Sequence, residues 1–154
     1  MKTRRKSREF ALQCLYCCDA TENWSDKNLN FLIDYFSSES KTDSFLVEIV
    51  FGVRDNLLVI DDQISFASDR WSIDRMARVD RNILRLASFE IACLEDIPLN
   101  VSINEAVEIA KRFGADDSPM FVNGVLDNVG RSISQNKQTS SFTQQGSSRL
   151  KAVG

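Results

Sequence analysis

The first 51 residues contain neither glycine nor proline, and the whole chain of 154 holds only six glycines and two prolines. Stretches that long without a breaker cannot supply the frequent tight turns of a many-stranded β domain, so helices are the expected element. The length is one domain's worth, enough to bury roughly 70 % of the surface the unfolded chain exposes. Hydrophobic residues at 43 % and charged residues at 27 % are the ordinary mixture of a globular fold. No apolar run nears the ~18 residues of a membrane span, and the basic start meets Glu9 and Gln13 rather than an apolar leader core. The chain therefore reads as cytoplasmic.

Apolar periodicity divides the chain into helical runs. Phe10, Cys14 and Cys17, flanked by Ala11, Leu15 and Cys18, form a stripe on a first helix from Arg4 to about Asp19. Ser25 or Asp26 caps a second, which carries Leu29, Leu32, Ile33 and Phe36. From Thr42 and Asp43 a continuous pattern runs through Ile49, Val53, Ile60 and Ile64 to Ala67, with Gly52 as the mark of a close helix crossing. Trp71 to Ala77 is a connecting turn. The segment Asp80 to Leu94 is apolar nearly all round, which predicts a central helix.

Ser102-x-x-Glu105 has the spacing of a capping box ahead of Ile103, Ala106, Val107, Ala110 and Phe113, and Gly114 stands where a left-handed terminator is expected. Ser118-Pro119 predicts a cap and first helical position for a last helix through Val122, Val125, Leu126, Val129 and Ile133. From about Ser134 to Gly154, Ser, Gln, Thr and Asn dominate, and a disordered tail is expected. The organisation is thus a helical domain over 1–133 and a tail over 134–154.

Charge is distributed unevenly. Five of the 19 cations (Lys2, Arg4, Arg5, Lys6 and Arg8) precede the first acid, leaving 14 against 22 acids and a net charge of -8 for the remainder. An acidic body repels a polyanion, so a cationic handle at one end gives it a defined place to grip one. On a helix, positions 5, 8, 9, 12 and 16 are read as one face, with Arg5 and Arg8 beside Tyr16 and opposite Cys14, Leu15 and Cys18. Guanidinium groups fork onto phosphates and an exposed phenol offers a stacking surface, a pairing suited to single-stranded nucleic acid.

Cys14-Leu15-Tyr16-Cys17 is formally C-x-x-C, but there is no second such pair and no histidine in the chain. The four cysteines are expected as small core residues, with no metal and no cofactor. Lacking histidine, the chain also lacks the commonest general base and the usual catalytic triads. Asp116, Asp117 and Ser118 are read as caps of the last helix, and Glu9, Asp80 and Glu90 as solvated or paired charges.

Three segments together resemble the NusB family of bacterial transcription antitermination factors: Arg8-x-x-Ala11-x-Gln13-x-Leu15-Tyr16, Ile83-Leu84-Arg85-Leu86-Ala87 with Phe89-Glu90, and Val101-x-Ile103-Asn104-Glu105-Ala106 running on to Phe121-Val122-Asn123-Gly124-Val125-Leu126. The resemblance extends to about Ile133. It implies an all-α fold of about seven helices in two small packed bundles, without catalysis. It implies binding of single-stranded boxA RNA from ribosomal RNA leaders, as a heterodimer with the ribosomal protein NusE, in an RNA polymerase antitermination complex. RNA contacts are implied at Arg4, Arg5, Lys6, Arg8, Tyr16, Asp80, Asp117 and Phe121. One departure is Met120, where family members often carry a lysine. A helical domain of this kind also resembles the front piece of certain ribosomal RNA cytosine methyltransferases. Against that rival, the chain shows neither a Gly-rich cofactor loop nor a catalytic cysteine motif.

Overall fold

Thr3 starts the first helix: its hydroxyl oxygen accepts from the Lys6 N–H at 3.2 Å, satisfying one of the free donors of the first turn. The structure is a computed structural model and describes residues 3–37 and 43–135. Among them are seven α-helices and no strand: α1 Arg4–Thr21, α2 Asp26–Ser37, α3 Ser44–Asp55, α4 Leu57–Ala67, α5 Arg78–Cys93, α6 Leu99–Phe113 and α7 Ser118–Gln135, with a single 3-10 turn Ile73–Arg75. No helix among the described residues is long and apolar enough to cross a membrane. Lys2 and residues 136–154 of the expected tail lie outside the described residues, whereas Ser134 and Gln135 continue α7.

The expected central helix is α5. It packs on α1, α3, α4, α6 and α7, so the α1–α3 group and the α4, α6, α7 group share it. Ile83, Leu84, Leu86 and Ala87 are fully buried there. Gly52 is where α3 crosses α5: an added Cβ would lie 2.2 Å from the Phe89 ring, so only glycine allows this approach. Cys14 and Cys18 are completely buried and Cys17 and Cys93 half-buried, all four as free thiols. Burial pushes the Cys18 thiol up to about 11 and the Cys93 thiol to about 12, so both stay protonated and unreactive at neutral pH.

Four local expectations are corrected. The run over 43–67 is two helices that meet at Asn56, whose φ of -121° leaves the helical range and whose buried side chain shares the Gly52 carbonyl with its own backbone N–H, donating at 2.9 Å. The capping box does not form: α6 begins a turn earlier, after Pro98, whose φ of -59° suits the start of a helix. Ser102 is instead buried and donates to the Glu90 Oε1 at 3.0 Å. Gly114 has φ -96°, not a left-handed value. It is required by proximity, since a Cβ there would sit 2.6 Å from the Ser118 side chain. The Ser118 hydroxyl accepts from the Ala115 N–H at 2.9 Å and so braces the loop before α7 rather than capping that helix.

Candidate nucleic-acid interface

The first turn of α1 exposes Arg4, Arg5 and Lys6, three cations on consecutive positions with no acid in that turn. Each has a different neighbour. Arg4 lies over the Phe45 ring at 4.5 Å. Arg5 donates from Nε and Nη2 to the two Glu105 oxygens at 2.6 and 2.9 Å while its side chain remains 46 % exposed. Those bonds hold the Glu105 carboxyl below its ordinary value against the opposing effect of partial burial. Lys6 approaches the buried Glu9 at 3.6 Å.

Arg8 is not part of that exposed turn. It is seven residues before Leu15, two helical turns away, and therefore shares the buried stripe that the sequence placed opposite it. Its guanidinium is buried against Glu90, with Nε and Nη2 donating at 2.7 and 2.8 Å, and it lies over the Phe45 ring at 5.1 Å. Of the three acids expected as solvated or paired, Glu90 and Glu9 are buried and paired. Asp80 is buried too, with a carboxyl oxygen that has no hydrogen-bond partner among the described residues.

Tyr16 lies eleven residues beyond Arg5, about 16 Å along α1 and on nearly the same face. It is 39 % exposed, and the Arg78 guanidinium sits 5.8 Å from its ring centre. Beneath it, Asp19 accepts from Arg81 at 2.8 Å, from Asn82 at 2.9 Å and from Arg85 at 3.1 Å. Burial by itself would raise the Asp19 carboxyl, but the hydrogen bonds from Arg81 and Asn82 and the Arg85 charge outweigh it and set it below its ordinary value.

At the opening of α7, Asp117 is exposed and Phe121 is half-buried, packed against the core. Met120 between them is 81 % exposed. The preceding end of α6 is held to α1, because Arg112 donates to both Glu9 oxygens at 3.2 Å. Residues of α3, through Phe45, and of α6, through Glu105 and Arg112, thus meet the first turns of α1, while Tyr16 with Arg78 stands farther along the helix. Arg78, Lys111 and Arg112 were not singled out from the sequence. Lys111 and Arg112 have a local signal, cations in the last turn of a helix, but Arg112 reaches α1 through a partner 103 positions away.

These features define an all-α protein of two helical groups around a shared helix, with cations gathered at one edge of an acidic body. The chain belongs to the NusB family, whose model matches residues 5–131. It is 48 % identical over 141 residues to the transcription antitermination protein NusB of Citrifermentans bemidjiense, covering 86 % of this chain and 97 % of that one. It is equally 48 % identical over 132 residues to the protein of that name from Bacillus subtilis, covering 86 % and 98 %. Among solved structures, NusB of T. maritima superposes with a TM-score of 0.75 at 33 % identity, over 96 % of this chain and 99 % of that one. The antitermination factors NusB and NusE in complex with dsRNA match with a TM-score of 0.73 at 25 % identity, over 84 % of this chain and 96 % of that one.

Proposed function

We propose that this antitermination protein acts without catalysis by binding the boxA element of ribosomal RNA leader transcripts together with NusE, on elongating RNA polymerase. The observation that carries the reading is the exposed triplet Arg4, Arg5 and Lys6 at the head of α1, on a body otherwise rich in acid. A localised cation cluster binds a polyanion in one orientation and leaves the acidic remainder to a basic partner such as a ribosomal protein. In this reading Arg4, Arg5 and Lys6 contact phosphates, Tyr16 and Phe121 offer stacking surfaces, and Asp117 accepts hydrogen bonds from a base edge. Arg8 and Asp80 act from the interior, Arg8 by fixing the first turn of α1 through Glu90 and Asp80 from its place near the start of α5.

The test is a titration of labelled boxA RNA with this protein, alone and with NusE. If three or four phosphates of a single strand are neutralised, the log-log salt slope is about -2 to -3, and affinity falls roughly 20- to 60-fold between 50 and 200 mM salt. NusE is expected to tighten RNA binding, and RNA to tighten the protein pair by the same factor. Equal affinity with and without NusE in matched salt contradicts the cooperative reading.

A further inference from the structure

We propose that Lys111 and Arg112, at the C-terminal end of α6, complete an RNA phosphate site with Arg5 and Lys6. The proposal rests on the RNA-binding reading above and adds residues from a second helix. The starting point is a cavity of about 420 Å³ between the head of α1 and the end of α6, whose walls include Arg5, Lys6, Glu9, Glu108, Lys111 and Arg112. Four cations face two acids there, so the cavity carries a net positive charge within a chain that is negative overall.

The cations of α1 alone are a weaker grip than the sequence suggests. Arg5 is engaged twice by Glu105, and Arg8 is buried on Glu90. Lys111 and Arg112 supply replacements at the same edge. Their presence in the last turn of α6 complements the helix dipole, but that role asks nothing of α1. Arg112 does more: it crosses to Glu9, a buried carboxylate that also draws Lys6 to 3.6 Å, so one acid positions a cation from each helix. Held at that edge, the Arg112 side chain is still 61 % exposed and the Lys111 side chain 58 %. Two anchored yet accessible cations beside Lys6 are the arrangement a single phosphate group needs, with fork-shaped donors from Arg112 and a point charge from each lysine.

The experiment compares boxA RNA binding by the full chain, by Lys111→Ala, by Arg112→Ala and by Arg131→Ala, between 50 and 200 mM salt, with a thermal melt of each. Among the described residues Lys111 pairs within its own helix, with Glu108, so its removal leaves the α1–α6 contact through Glu9 in place. Lys111→Ala and Arg112→Ala are each expected to make the salt slope shallower, by at most about 0.7, the share of the one phosphate they hold together with Lys6 on a single strand. Arg131, on α7 outside the cavity, is expected to keep the parental slope. If the parent binds RNA and both cavity variants retain its slope, the proposal is overturned and the two cations serve only to join α6 to α1. If the parent itself does not bind the RNA, the functional reading fails and the proposal with it.

Discussion

Arg8 and Glu90 form a buried, two-bond ion pair that joins α1 to the last turn of α5, and Ser102 of α6 donates to the same carboxylate. Three helices meet at that one acid. The pair thereby ties the position of the exposed cations on the first turn of α1 to the packed interior.

Removing one partner leaves an uncompensated buried charge. Arg8→Ala is expected to lower stability by about 3–5 kcal/mol, and replacing both residues with Met to cost far less, because the buried charge is then gone as well. Urea unfolding of the two variants measures this. RNA binding by the folded fraction of Arg8→Ala should keep the parental salt slope, and a shallower slope would place Arg8 on the phosphate backbone after all.

Aromatic contacts to bases release no counterions. Tyr16→Ala should weaken boxA RNA binding by roughly 1–3 kcal/mol without altering the salt slope. For Phe121→Ala the same loss is expected, joined by a lower melting temperature because the ring also packs against the core. A large drop in melting temperature with normal binding by the folded fraction would make Phe121 a core residue only.

Acid should unfold the protein partly through Glu105 and Asp19, whose folded values lie below the ordinary 4.5 and 3.8. A carboxyl with a depressed folded value contributes fully above its ordinary value, and that stability is lost as pH falls through the folded one. Urea midpoints should therefore decline as pH drops below about 4.5, the ordinary value for Glu105. Glu105→Gln and Asp19→Asn should each flatten the decline. A variant as acid-sensitive as its parent would show that its carboxylate is not part of the linkage.

At Gly52 there is no room for a methyl group, since the Phe89 ring occupies the space an added Cβ would need. Gly52→Ala is expected to cost about 1–3 kcal/mol through overpacking, despite the better helix propensity of alanine. Adding Phe89→Leu should recover part of the loss in a thermal melt. Additive losses in the double variant would mean the two positions do not share that space.

The helical periods and the role of α5 were legible because they depend on spacing within one segment. Gly52 was readable for the same reason, as a small residue in an otherwise bulky stripe. What escaped was set by partners far along the chain. Ser102 has the spacing of a cap, but Glu90 claims its hydroxyl from another helix. Asn56 reads as one polar residue in a long amphipathic run until burial turns its amide onto the Gly52 carbonyl. Arg8 looked like a member of the exposed cationic handle because charge patterning ignores its two-turn spacing from Leu15. At the candidate interface, the exposed triplet was visible in the sequence. The contribution of α6 was not, since it depends on Arg112 meeting Glu9 across 103 residues.

Because both helical groups bury their apolar faces on α5, neither keeps a closed interior once that helix departs. Amide hydrogen exchange should report this directly. The backbone protons of Leu84 to Ala87 exchange only when the whole molecule opens, at a rate set by global stability. Those of α2, which packs on α1 and α3 but not closely on α5, exchange sooner through partial openings.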